Sequence, residues 1–393
     1  MLTPIYLDNH RLTSPSPESC KAMLPYLTEK WTDPIAPYAA GVEVASDVRA
    51  AYEKIFSFFA AGKDGRFLVT SSGAEAVNHL FSSLFRDLSK VEGKNHFLTS
   101  TIEEAPTLMA LGRLEEEGAF AQMLAPNSEG VVTAQAVEEA ITAKTALVSL
   151  SWANGLTGVI NPVEEIAEVC RQKKTLLHLE ASYLLGKTFF DPEEPLPADI
   201  LTFESSLLHA PRGTGGLYYA NTVPMSPLIL GGQEQWGMRG GPLDVAGIVA
   251  LAKAAEQLDE GLNHMCTEVV RLRNAFEENL LDAVPAAQSL CMDADRLPNT
   301  SVIAFPFVSN EALLFALSRK GVFASVGGGK FQRLDRVLQL TGIDAGVAGS
   351  ALHFSLSRYT TESDIQAAVD KIKEAYHQLS KMSEKIAFTK MGG

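Results

Sequence analysis

The chain has 393 residues, 46% of them hydrophobic and 20% charged, and a formal net charge of −14. That length exceeds what one compact core ordinarily carries, so two domains are expected. The charge argues against nucleic acid and anionic membrane as partners, and leaves a basic protein partner or plain solubility as its use.

From Arg66 onward, short apolar runs alternate with helix-patterned stretches. Strands are predicted at 66–70, 96–99, 146–150, 176–180, 200–203 and 216–220. Helices are predicted between them at 75–88, 105–117, 134–143 and 162–172. This alternation predicts an α/β layer structure with a mostly parallel sheet covered on both faces, and a ligand site beyond the carboxyl ends of the strands. A long helical region over 242–281 follows. After it the rhythm changes: a strand at 301–307, a helix at 309–319 capped by Ser309 or Asn310, a strand at 351–355, and an amphipathic helix at 361–379 with Thr361 and Asp364 as a cap pair. This part reads as a smaller α+β domain. No apolar run is long enough to span a membrane, and residues 1–8 lack the basic and apolar regions of a secretory leader, so a cytoplasmic address is expected. Cys20, Cys170, Cys266 and Cys291 lie far apart, none at metal-ligand spacing, and are expected to be buried free thiols.

A series of short motifs runs along nearly the whole chain: Ile5-Tyr-Leu-Asp-Asn9, Ala22-Met-Leu-Pro-Tyr-Leu27, Ser71-Ser-Gly-Ala-Glu-Ala-Val-Asn78, Ala153-Asn-Gly-Leu-Thr-Gly158, His178-Leu-Glu-Ala-Ser-Tyr183, Ala210-Pro-Arg-Gly-Thr-Gly215, Gly231-Gly-Gln-Glu-Gln-Trp-Gly-Met-Arg-Gly-Gly241 and Phe354-Ser-Leu-Ser-Arg-Tyr-Thr-Thr361. In order and spacing they resemble the cysteine desulfurases of the NifS/IscS type, within the class V aminotransferases. The resemblance implies a pyridoxal phosphate (PLP) dependent transferase of fold type I, with a mostly parallel seven-stranded sheet and a smaller α+β C-terminal domain. It implies an N-terminal arm (1–15) packing with the small domain, a large domain (16–255) and a small domain (256–393). It also implies a homodimer with active sites near the interface, and a place in iron–sulfur cluster assembly.

Carried over position by position, the resemblance marks a degenerate site. The lysine that binds PLP is matched by Leu207, which cannot form a Schiff base. The ring-stacking histidine is Glu104, which has no π face. The arginine that holds the substrate carboxylate is His353, which lacks the bidentate fork. The loop that should carry the sulfur-accepting cysteine is Ala324–Lys330, including Gly328 and no cysteine; its Gly327–Gly329 run reads as a flexible loop. Asn154 and Arg239 match cofactor-contacting residues and are present, either in that role or as structural hydrogen-bonders. Glu180 replaces the aspartate that pairs with the pyridine nitrogen, and Tyr183 a glutamine beside the ring hydroxyl.

The phosphate pocket departs furthest. Ser72 and Gly73 match the start of its helix, but Glu75 and Glu204 stand at its two hydroxyl positions. At ~4 Å and an effective dielectric near ~20, each carboxylate would repel each phosphate charge by about 4 kcal/mol. The two together roughly cancel the ~8 kcal/mol of a micromolar ligand. Glu75 at a helix N-terminus can instead satisfy the N–H groups and dipole that a phosphate would.

The reading is therefore a pseudoenzyme of the family, with PLP absent or not covalently bound. It would act as a binding or scaffold protein toward an active desulfurase paralogue, an iron–sulfur scaffold or another protein. The alternative is a working PLP enzyme with a displaced lysine, Lys187 or Lys330. A third reading gives the cleft a new ligand, a cation or amine suited to Glu75, Glu104, Glu180 and Glu204.

Overall fold

The computed structural model describes residues 4–58, 65–189, 196–328 and 332–391. Seven strands form the main sheet: β1 (Gly65–Thr70), β2 (His96–Ser100), β3 (Phe120–Leu124), β4 (Thr145–Ser151), β5 (Leu176–Glu180), β6 (Ile200–Glu204) and β7 (Gly215–Ala220). Their spatial order is β1-β7-β6-β5-β4-β2-β3, and β7 alone runs antiparallel to its neighbours. Every residue of β2 and β4 is buried. That follows from the helices on both faces, and the polar members of the two strands are bonded inside: Thr99 Oγ1 donates to Ser149 O at 2.8 Å and His96 Nδ1 lies 2.9 Å from Thr145 Oγ1. The strand that the sequence did not suggest is β3. It lies at the sheet edge, where Phe120 and Met123 are exposed and no unbroken apolar run is required.

Helix α1 (Pro17–Thr28) and helix α2 (Ala39–Phe58) precede the sheet, α3 (Gly73–Leu84) follows β1, and α4 (Ala105–Glu116) follows β2. One core cluster joins Phe67, Leu98, Val148, Leu179 and Phe203 to Ile55, Ile166 and Leu251. A second holds Leu68, Phe97 and Leu147 against Leu80, Phe81 and Leu111. The long helix is real but not uniform: Val245–His264 passes through a π turn at Met265–Val269 into Val270–Ala283.

The C-terminal part has an antiparallel sheet of β8 (Gln288–Leu290), β9 (Thr300–Ala304) and β10 (Ala351–Ser355), in the order β10-β9-β8. It packs through Ile303, Phe305 and Phe354 on Phe276, Leu313, Ile372 and Tyr376. The final helix, Glu362–Met391, begins at the expected cap pair, where Asp364 Oδ2 accepts from Thr361 N and Thr361 Oγ1 accepts from Asp364 N. Helix Asn310–Arg319 has Ser309 at its cap position, without a capping side-chain bond.

The N-terminal segment joins these two bodies. Ile5–Tyr6 pairs in parallel with Val322–Phe323, Asn9 Nδ2 donates to Ser355 O at 2.8 Å, and Thr13 N donates to Ser206 O at 3.0 Å. Residues 10 and 11 are thereby delivered to the carboxyl ends of β5 and β6, where a cavity opens. The four cysteines are free, but only Cys170 is buried; Cys20, Cys266 and Cys291 are partly exposed.

Candidate functional site

Helix α3 starts where β1, β6 and β7 meet. Gly215 makes that meeting possible, because a Cβ there would lie 2.3 Å from the Ser72 carbonyl carbon. Ser72 caps the helix, its Oγ accepting from Glu75 N at 3.1 Å. Two further N–H groups here, those of Gly73 and Ser71, are taken by carboxylates. Glu204 Oε2 accepts from Gly73 N at 2.9 Å, and its Oε1 accepts from Ser206 Oγ at 2.9 Å. Glu75 Oε2 accepts from Ser71 N at 2.8 Å, and its Oε1 pairs with Arg239 Nε at 3.1 Å. Burial raises the Glu75 pKa, but the bonds from Arg239 and Ser71 outweigh it and hold the carboxyl below its ordinary value. The sequence placed Glu75 and Glu204 as charges facing an incoming phosphate. The structure turns both onto the helix end, where amide donors and the helix dipole stabilise anions.

Beside this helix end lies a cavity of about 500 Å³, lined among others by Glu104, Glu180, Tyr183, Glu204, Leu207 and Gly328. Glu180 ends β5. Its Oε1 accepts from Ser182 N at 3.2 Å and from Ser182 Oγ, while its Oε2 has no hydrogen-bond partner. Burial raises the Glu180 carboxyl to about 7, with the charges of Glu103 and Glu204 adding to it. Glu104, at the N-cap position of α4, is raised to about 8 by burial and by the charges of Glu180 and Glu103, against a hydrogen bond with Tyr183. Behind them, buried Glu103 accepts from Ser151 N at 3.0 and 2.9 Å and is raised by burial to about 7.

Leu207 closes the one-turn helix Ser205–Leu207, lines the cavity and is 7% exposed. Its other side faces a small separate cavity that Lys187 lines. Lys187 Nζ donates to Tyr183 O at 2.8 Å, and burial lowers its pKa to about 8. No lysine among the described residues lines the large cavity. Lys330 lies outside the described residues.

Several expected positions are not brought to the cavity. Asn154 spends its amide on its own turn: Oδ1 accepts from Leu156 N and Thr157 N, both at 3.0 Å, and Nδ2 donates to Ile102 O at 2.9 Å. Arg239 is held by Glu75. His353 is fully buried beneath the site; its Nδ1 donates to Leu156 O at 2.6 Å, and burial depresses its pKa well below the usual value. Position 353 thus carries a neutral ring that lacks both the fork and the charge of an arginine. The glycine run is also not a plain loop, since Gly327–Gly328 pairs antiparallel with Gln332–Arg333.

The sequence reading missed His10 and Arg11, which both line the cavity. The His10 ring lies 4.1 Å from that of His353, and Arg11 Nη2 donates to Gly327 O at 3.1 Å. A Cβ at Gly328 would lie 2.1 Å from Arg11 Nη2, so the bare glycine makes room for this guanidinium. The signal was present: His-Arg follows Tyr-Leu-Asp-Asn where the desulfurase motif has any residue followed by alanine.

A mixed seven-stranded sheet carrying its site at the strand ends beside a helix N-terminus defines a class of protein that the comparisons identify. The profile of the family described as Aminotransferase class-V matches residues 5–368. The cysteine desulfurase of Cereibacter sphaeroides is 34% identical over 389 residues, spanning 96% of this chain and 97% of that one. Cysteine desulfurase NifS of Azotobacter vinelandii is 30% identical over 387 residues, covering 97% and 95%. A solved structure described as a NifS-like protein aligns with a TM-score of 0.88 at 28% identity, covering 95% of this chain and 99% of that one. The chain belongs to the class V aminotransferase family and is a homologue of its cysteine desulfurases. Its fold is the fold type I of PLP-dependent enzymes. No helix of the described residues is long and apolar enough to cross a membrane.

Proposed function

We propose that this chain is a non-catalytic member of the desulfurase family in which its own side chains have taken the cofactor's place, and that it acts by binding another protein. One observation carries the reading: the amide donors of Gly73 and Ser71, at the helix end that would hold a phosphate, are bonded to Glu204 and Glu75. A phosphate would have to displace both carboxylates and then sit beside them. Each displaced charged hydrogen bond costs about 1.5–3 kcal/mol, before repulsion of about 4 kcal/mol per pair of charges. The residue set does not fit PLP. Leu207 offers no amine, the Gly328 loop no thiol, and His353 no fixed positive charge.

The partners proposed are a second copy of the chain, by the family's dimeric habit, and an active desulfurase or an iron–sulfur scaffold protein. Leu24, Leu27, Trp31, Ile35, Tyr38 and Val42, all within residues 24–42, are large apolar side chains left exposed, and this is the segment proposed to meet the partner.

The competing reading is a PLP enzyme with a displaced lysine. Lys187 shares Leu207 with the small rear cavity, which places it near, but its ammonium is committed to Tyr183 O on the far side of that leucine. The test is sulfide release from cysteine with PLP in excess. The reading predicts none above the protein-free control, and steady turnover would defeat it.

A further inference from the structure

The large cavity holds carboxyl groups that the helix end does not use. Glu204 is consumed by Gly73 and Ser206, but Glu180 is not. It is 7% exposed, and its Oε2 has no hydrogen-bond partner. A buried carboxylate oxygen left bare costs free energy that a donor would recover. Glu104 shares the same cavity and feels the charge of Glu180. Around them stand Leu156, Pro106, Val77 and Leu207, an apolar lining for the body of a ligand. The volume, about 500 Å³, is that of a small-molecule site. Among the described residues no group of three acidic, histidine or cysteine side chains is placed to hold a metal ion.

We propose that this cavity binds a small organic ammonium ion, its N–H groups donating to Glu180 and Glu104 and its apolar body resting against Leu156 and Leu207. An ammonium brings three donors and no acceptor, which is what an unpartnered carboxylate lacks. It also relieves the repulsion between the two carboxylates. The inference rests on the preceding reading only in requiring that the cofactor does not fill the cavity.

Proton linkage supports the geometry. Glu104 at about 8 is largely protonated near neutrality and Glu180 at about 7 is about half protonated, whereas an alkylammonium, with a pKa near ~10, keeps its proton. The titratable groups facing them are Glu103, Glu204, the neutral Tyr183 phenol and, from the wall behind, Lys187. Arg11 enters from the opposite wall and His10, depressed to about 3 by burial, stays neutral. Cation binding must therefore release protons, and affinity rises with pH.

Titration calorimetry on the full chain tests this with three probes of one shape: 2-phenylethylamine, 2-phenylethanol and 3-phenylpropionate. At about pH 8.5 the amine should bind at least tenfold more tightly than the alcohol, with the carboxylate weaker still, and should lose at least tenfold at about pH 6. Glu180→Gln should remove at least tenfold for the amine and leave the alcohol unchanged; Glu104→Gln serves as the second variant if the first melts early. No amine binding up to roughly 20 mM, equal binding of amine and alcohol, or amine affinity unchanged in both variants would overturn the proposal. Scanning the same protein with PLP separates the two readings. A cofactor band beside an intact amine preference sinks the pseudoenzyme alone. No band and no charge preference sinks the amine site alone.

Discussion

Glu75 and Glu204 show how a side chain can satisfy a helix end from within the fold. Each places a carboxylate on a backbone N–H at the start of α3, and Glu75 adds the Arg239 pair with only 10% of its side chain exposed. Replacing it by alanine orphans a guanidinium and an amide together. We expect Glu75→Ala to cost about 1–3 kcal/mol, read as a lower thermal midpoint. Glu104 behaves oppositely. Its folded pKa of about 8 lies above its ordinary 4.5, so the stability tied to its proton is full below pH 4.5 and is lost as pH rises through 8. The buried histidines, with lowered pKa values, pull the other way below about pH 6.5, which fixes the useful window at about 6.5–9. Across it, Glu104→Gln should flatten the fall in stability, gaining about 1–2 kcal/mol over wild type near pH 9 after allowance for partial exposure, measured by denaturant midpoints. The replaced residues themselves could be read from the motifs. Which amide each carboxylate takes could not, because that depends on the angle at which β6 meets α3.

At the level of elements, the strands buried on both faces were legible because each carries a short apolar core between helix-patterned stretches. Leu176–Glu180 and Ala351–Ser355 were placed to the residue. Edge strand β3 and helices α1 and α2 were not. The edge strand has one face open to solvent and no unbroken apolar run, and α1 carries Pro25 inside it, which breaks the helical signature; α2 buries Val44, Val48, Ala51 and Ile55 at helical spacing, a signal that was present and not read. The packing of β7 on the start of α3 was also invisible, although it sets the whole anion site. A methyl group at Gly215 would meet Ser72 backbone that cannot give way. Gly215→Ala should therefore destabilise the fold by about 2–3 kcal/mol in chemical denaturation, far more than an ordinary surface substitution.

For the whole molecule, the motif series identified the family, and the fold followed with it. The N-terminal segment shows what motif matching leaves out. It ties the small sheet to the site through Asn9 and Thr13 and carries His10 and Arg11 into the cavity, yet its role rests on contacts with residues some 190 and 350 positions away. The architecture thus keeps a shaped cavity at the strand ends, while Glu75, Glu204 and Arg239 beside it are engaged in internal bonds. The most direct test is the visible spectrum of the purified chain after incubation with excess PLP and removal of the free cofactor. The account predicts no band at about 410–430 nm, in the wild type and in Leu207→Lys alike, because the phosphate's amides stay bound to Glu75 and Glu204. A stoichiometric band in the wild type that borohydride bleaches, and that Lys330→Ala or Lys187→Ala abolishes, would contradict it.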